Sequence, residues 1–280
     1  MAPFAKGEGR EKNPWGQSEV NKMTQSQGSG APFLSIVIPA YNESKRIEAS
    51  IRDLVSFFKS AQYDLEICMV IEKSTDGTAD MAKRLVEHEP HFKILANSVQ
   101  KGKGYAVRTG MLSARGQIVF FMDLDLSTPL AEVFSFLGHF QSNPDTDIII
   151  GSRQHAKSQI IKKQHPLRQK MGQTFNFLVQ LFAVKGITDT QCGFKAFRQR
   201  TIQPIFTRQK IEGFSFDVEI LLIAQKLGYK IDVLPVRWVN SPDSKVRIVR
   251  DSIKMFFDLL RMRRLVRRTF RALPLEKDQK

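Results

Sequence analysis

The chain has only two cysteines, Cys68 and Cys192, among 280 residues, and they sit in different motifs without metal-ligand spacing. That argues against a disulfide framework or a cysteine-based zinc site. No apolar run approaches the length needed to cross a bilayer; the longest are short and strand-like. The N-terminus carries no secretory hydrophobic region, so residence in the cytoplasm is the expectation. No Gly-x-Gly-x-x-Gly follows the first apolar run, and no Gly-Lys-Ser/Thr phosphate loop occurs. A nicotinamide-binding domain and a phosphate-loop NTPase are therefore both disfavoured. Acids are outnumbered too: 28 Asp and Glu against 43 Lys and Arg leave a formal charge of +15.

The basic excess is clustered. Residues 153–170 hold Arg153, Lys157, Lys162, Lys163, Arg168 and Lys170 without an acid, and residues 245–271 hold ten Lys or Arg against Asp251 and Asp258. Such clusters suit a nucleic acid, an anionic membrane or a phosphorylated substrate, or form a solvated basic face. A basic nucleic-acid-binding protein is the alternative of another class. No RNA- or DNA-reading motif accompanies the charge, so no nucleic acid is expected as partner.

Residues 1–31 are polar, without apolar periodicity, and are expected to form a disordered tail. A catalytic domain is expected over 32–245, followed by a basic amphipathic helix and tail over 246–280. Apolar runs predict strands over 33–38 (stopped by Pro39), 65–71, 92–96, 117–122 and 147–150. Helical spacing appears over 43–59, around Met81, Leu85 and Val86, over 105–114, and after Pro129. This alternation predicts an α/β fold, a mostly parallel sheet flanked by helices on both faces. Ligands bind beyond the carboxyl ends of such strands. Four polar clusters, 39–43, 72–76, 102–104 and 123–127, fall at those ends and should share one crevice.

The most chemical of these clusters is Asp123-Leu124-Asp125. Alternate residues of a strand point the same way, so both carboxylates would project together if the strand persisted. Two like charges held close invite a divalent cation, and carboxylate oxygens suit Mg²⁺ or Mn²⁺ sharing its shell with phosphate and water.

Taken in order, Ile36-Val37-Ile38-Pro39-Ala40-Tyr41-Asn42-Glu43, Ser74-Thr75-Asp76-Gly77-Thr78, Lys101-Gly102-Lys103-Gly104 and Asp123-Leu124-Asp125 resemble family 2 glycosyltransferases, inverting enzymes of the GT-A fold. Gly151-Ser152-Arg153, Asp189 to Lys195 and Phe216-Asp217-Val218-Glu219 resemble the branch that loads sugars onto polyprenyl phosphates, the dolichyl-phosphate glucosyltransferases and mannosyl-phosphate synthases. The resemblance implies a nucleotide-sugar donor, UDP-glucose before GDP-mannose, and a polyprenyl or dolichyl phosphate acceptor at the cytoplasmic face of a membrane. It places Pro39, Tyr41, Glu43 and Lys103 in the nucleotide pocket, Asp123 near the ribose and diphosphate, and Asp125 on the metal. Where such enzymes read Asp-Asp-Gly-Ser, this chain reads Ile71-Glu72-Lys73-Ser74, so Glu72 becomes the acid that could accept from the base.

A phosphate monoester acceptor, with a second pKa of about 6, arrives ionised and needs cations rather than a base. Arg153, Arg168, Lys195 and Arg198 are the candidates. The alternative acceptor, a hydroxyl of a saccharide or small molecule, would need a base, for which Asp189, Asp217 and Glu219 are available; Asp217 and Glu219 also suit a helix N-terminus. Gly193 is read as a tight-turn residue, and Phe194 and Phe197 as core. Ile253, Phe256, Phe257 and Leu260 recur at helical spacing ahead of arginines, which suits an interfacial helix, or a helix packed on its own domain with a basic tail beyond.

Overall fold

The computed structural model describes residues 31–59, 61, 63–162, 178–180, 183–184, 186–240 and 248–272. The polar tail expected over 1–31 thus lies outside the described residues, Ala31 apart. A seven-stranded sheet has the order β3 (Phe92–Ala96), β2 (Leu65–Ile71), β1 (Leu34–Ala40), β4 (Ile118–Met122), β7 (Phe194–Arg198), β5 (Ile148–Ser152) and β8 (Ile231–Pro235). Only β7 runs against its neighbours in this sheet. A small parallel pair, β6 (Gln159–Lys162) with β9 (Arg237–Val239), stands apart. The α/β architecture follows the sequence expectation.

Alternation across the strands builds two cores. Ile36, Ile38, Phe120 and Met122 face α1 (Ile47–Phe58), α2 (Thr78–Leu85) and α4 (Glu132–Ser142). Val37, Val70, Val119 and Phe121 face α3 (Lys103–Ser113), α5 (Gln199–Phe206), α6 (Phe216–Lys226) and α7 (Ile248–Ala272). The central runs of β2 and β4 are buried throughout, which is why they read as unbroken apolar stretches. Cys68 and Cys192 are both buried and unbridged, as expected.

At the end of the sheet remote from the crevice, buried Glu66 accepts from Ser35 Oγ and from the Arg115 N–H, both at 2.6 Å. This joins the starts of β1 and β2 to the turn before β4.

One expectation needs correction. Pro39 does not stop β1; it lies inside the strand, opposite Val70. The neighbouring Ala40 carbonyl accepts from Glu72 N at 3.0 Å on the β2 side, so Pro39 turns its missing N–H toward β4. Pairing with β4 has already ended there, at Val37 opposite Phe121, so no ladder bond is lost. Of the two placements left open for the basic helix, packing on its own domain is present: Leu259, Met262 and Val266 of α7 enter the second core. Ile253, Phe256, Phe257 and Leu260 remain exposed on its other side.

Helix α3 approaches the sheet through Gly110, where a Cβ would stand 2.3 Å from Val37 Cγ1 and 2.8 Å from Val70 Cγ2. Gly110→Ala should therefore overpack the contact and cost about 1–3 kcal/mol, read as a lower denaturation midpoint. An unchanged midpoint would show that the helix can back away freely.

Candidate active site

The loops after β1 and β2 are bound to one another by side chains that accept from backbone N–H groups. Asn42 N donates to Ser74 Oγ (3.1 Å), Glu43 N to Thr78 Oγ1 (2.8 Å) and Ser44 N to Asp76 Oδ2 (3.0 Å). In return Thr75 N donates to Asn42 Oδ1 at 2.9 Å, with Asn42 at a left-handed φ of 52°. Desolvation would raise the Asp76 carboxyl, but the bonds from Thr78 and Ser44 outweigh it and bring it to about 2. The Ser74–Thr78 motif thus shapes the 42–44 backbone, with partly exposed Pro39, Tyr41 and Glu43 alongside.

Glu72 is also engaged by backbone. It is buried, and its carboxylate accepts from Lys101 N at 3.1 Å and from Gly102 N at 3.0 Å on each oxygen. Its structural work is to hold the 101–104 loop. Gly102, at φ 125°, presses against the Glu212 carbonyl, which a Cβ would approach to 2.6 Å. The loop delivers Lys103 Nζ to within 2.7 Å of Asp123 Oδ1.

The carboxylate pair is reached through a turn rather than a continued strand. β4 ends at Met122, Leu126 N donates to the Asp123 carbonyl at 3.2 Å, and Leu126 takes a φ of 48°. Asp125 Oδ1 accepts from Ser127 N at 3.0 Å, and its Oδ2 lies 3.9 Å from Arg46 Nη1. Arg46 Nε in turn holds Glu43 at 2.7 Å. Burial, then the neighbouring Asp123, raise the Asp125 carboxyl above its ordinary range. Lys103 goes up as well: desolvation alone would lower it, but Asp123 and Asp217 outweigh that.

These carboxylates line a cleft with Ser127, Thr128, Gly193 and Trp238. Among the described residues, no three His, Cys, Asp or Glu come together to form a metal cage. The donor set nevertheless fits a hard divalent cation that takes Asp125, with Asp123 beside it, and completes its shell from a diphosphate and water.

Gly193 belongs to this site through a close approach that the turn reading did not include. It has no left-handed φ; a Cβ there would fall 2.0 Å from Asp123 Oδ2. Its carbonyl accepts from Asp123 N at 3.1 Å.

After β5, Arg153 grips Asp189 with Nε (2.8 Å) and Nη2 (2.7 Å), and its backbone N adds a third bond at 2.7 Å. Although burial would raise it, the Arg153 guanidinium holds the Asp189 carboxyl below the usual carboxylate range. Trp238 lies under the guanidinium at 5.6 Å.

Lys195 is not an accessible phosphate ligand. It is fully buried, with Nζ on Asp217 (2.5 Å) and on the Cys192 carbonyl (2.7 Å). Arg198 lies at the wrong end of the sheet: β7 is antiparallel, so Arg198 pairs with Ile118 and binds the Thr146 and Phe140 carbonyls. Arg168 lies outside the described residues. Asp217 and Glu219 do begin a helix, α6, and are buried there. Phe194 and Phe197 are core, as expected.

Sequence reasoning passed over Arg46, Thr128 and Trp238. The signal for Arg46 was its place three residues after Glu43, one helical turn on.

Comparison with known proteins bears on the fold and the family. The family described as Glycosyl transferase family 2 matches residues 35–206. The dolichyl-phosphate beta-glucosyltransferase of Dictyostelium discoideum is 35% identical over 242 residues, covering 82% of this chain and 74% of that protein. Its Homo sapiens counterpart is 32% identical over 262 residues, covering 90% and 80%. Among solved structures, Mycobacterium tuberculosis glucosyl-3-phosphoglycerate synthase, in complex with Mn²⁺, UDP-glucose and phosphoglyceric acid, superposes with a TM-score of 0.63 at 16% identity, covering 90% and 85%. The mixed, mostly parallel sheet and its flanking helices are those of an enzyme with the GT-A fold. Within that class, the chain belongs to glycosyltransferase family 2.

Two expectations follow from this geometry. Gly193→Ala should displace Asp123 and lower turnover about 100-fold while the fold survives; near-normal turnover would remove Gly193 from the site. Glu219 accepts from Lys210 and Ile211 N–H groups, and burial raises its carboxyl to about 7. A folded pKa above the unfolded value means its contribution is complete below about pH 4 and disappears as pH climbs to about 7. The fall in denaturation midpoint from about pH 5 to about pH 8 should accordingly be smaller in Glu219→Gln than in the parent; an equal fall would contradict the raised pKa.

Proposed function

We propose that this enzyme transfers a hexose, with inversion, from a nucleotide sugar to an acceptor that carries a phosphate. UDP-glucose is the favoured donor and a polyprenyl phosphate the favoured acceptor. The observation that carries the reading is the state of the acceptor-side acids. Asp189 is held by Arg153, Asp217 by Lys195, and Glu219 by two backbone N–H groups. Each is buried and already engaged, which favours an acceptor that needs no base. An acceptor that arrives as a phosphate anion asks for no base. The names of the curated relatives support the same acceptor class.

In this reading a phosphate oxygen of the acceptor forms the new bond to the anomeric carbon. The bond from that carbon to the nucleoside diphosphate breaks, and its electron pair leaves on the diphosphate. Mg²⁺ or Mn²⁺ held at Asp125 would offset the charge growing there. Arg153, its plane fixed by Asp189, keeps Nη1 for the acceptor phosphate. Lys103 stands ready for the diphosphate, and Pro39, Tyr41 and Glu43 edge the nucleotide pocket.

Residues 32–245 carry the catalytic machinery, and the basic segment 246–280, packed on that unit through Leu259, Met262 and Val266 of α7, brings the enzyme to a cytoplasmic membrane face. Among the described residues, no helix is long and apolar enough to cross a membrane. The exposed Ile253, Phe256, Phe257 and Leu260 lie close to Arg261 and Arg264 on α7, an arrangement suited to acyl chains beneath anionic head groups. Replacing both Ile253 and Phe257 by Glu should lower partition onto anionic vesicles about tenfold; unaltered partition would sink the membrane role of this face.

A second reading, transfer to a hydroxyl of a small phosphorylated acceptor, is supported by the fold neighbour that holds UDP-glucose with phosphoglyceric acid. One experiment separates the two. The enzyme with Mn²⁺ is given UDP-glucose or GDP-mannose, and then a short polyprenyl phosphate or 3-phosphoglycerate. Glycosyl lipid from UDP-glucose is the expected product. Glycosylated phosphoglycerate without glycosyl lipid would establish the second reading instead.

A further inference from the structure

We propose that Lys103 and Arg46 are the chain's own counter-ions for Asp123 and Asp125. The divalent cation would then enter together with the diphosphate that takes those two cations over, rather than ahead of it. The inference rests on the nucleotide-sugar reading above and concerns the order of binding at that site.

Each carboxylate of the pair faces a cation of the chain: Lys103 at 2.7 Å from Asp123 and Arg46 at 3.9 Å from Asp125. Both contacts are partly buried, with side-chain exposures of 23% and 34% for Lys103 and Asp123 and of 17% and 27% for Arg46 and Asp125, so solvent screens them only in part. Lys103 also feels Asp217 and Asp125, which anchors its ammonium among three carboxylates. A divalent ion arriving alone meets two positive charges already on its ligands and brings no anion to compensate them. Arriving with a diphosphate, it brings oxygens that accept both the ammonium and the guanidinium.

The two cations are positioned to change partner. Lys103 is the first residue of α3 on the loop that Glu72 and Glu212 hold, and Arg46 immediately precedes α1. Both are therefore tethered at the mouth of the crevice by backbone that has its own supports. Arg46 keeps Glu43 as a second partner at 2.7 Å, so it can leave Asp125 without being stranded.

The test measures Mn²⁺ binding by calorimetry or by the loss of the free-ion EPR signal, with no sugar donor or acceptor. The parent should bind Mn²⁺ weakly alone and much more tightly with UDP. Lys103→Met and Arg46→Gln should each bind Mn²⁺ alone about tenfold more tightly than the parent, and UDP at saturating Mn²⁺ about tenfold more weakly. Should Lys103→Met lose its circular dichroism signature, Arg46→Gln carries the test at the longer contact. Parent protein that binds Mn²⁺ as tightly without UDP as with it would overturn the proposal. So would variants whose affinity for Mn²⁺ alone does not rise while their UDP complex still forms. Parent protein that binds neither Mn²⁺ nor its UDP complex would overturn the nucleotide-sugar reading itself.

Discussion

Two carboxylates share one partly buried crevice at the end of β4, and the elements around them are arranged to offset the repulsion. Burial and Asp123 together raise Asp125. Lys103 answers from the 101–104 loop and Arg46 from the start of α1. Glu72 is needed because that loop must be held, and Gly193 because Asp123 lies where a Cβ would be. The Ser74–Thr78 hydroxyls and carboxylate are needed because the 42–44 backbone must bring Arg46 to its place. Seen from that one repulsion, scattered motifs become one scaffold.

The half of the cleft around β7 follows a different logic. There the charges are closed into pairs: Arg153 with Asp189, Lys195 with Asp217. Buried pairs of this kind contribute geometry more surely than stability, because desolvation offsets much of their attraction. The Arg153 fork fixes the guanidinium plane at the cleft, and the Lys195 bond to the Cys192 carbonyl steadies the turn that leads into Gly193. Acids committed in this way suit an acceptor that brings its own negative charge.

Much of the donor half was legible in the residues. Strands with apolar runs such as 67–71 suit a central, parallel place in a sheet, and polar clusters just beyond them gather at one edge. The other half of the cleft was less legible because it depends on β7. Its antiparallel direction, which no local pattern announces, sends Arg198 to the far end of the sheet and leaves Lys195 inside it. Pro39 was misread as a strand stop because its tolerance depends on where β4 ceases to pair, a fact of register rather than of propensity. For α7, helical spacing identified an apolar stripe but could not separate its core face at Leu259 and Met262 from its exposed face at Phe257. Gly193 was legible as a turn residue, but only the fold shows that a carboxylate stands against it.

The central claim is that Asp125, with Asp123 beside it, marks where a metal-bound diphosphate sits. A crystal structure of the enzyme grown with UDP and Mn²⁺ tests it most directly, because manganese is located by its anomalous signal. The account predicts a manganese peak bridging the Asp125 carboxylate and the diphosphate, with Lys103 turned from Asp123 toward a phosphate oxygen. Manganese or diphosphate bound away from Asp125 would contradict it.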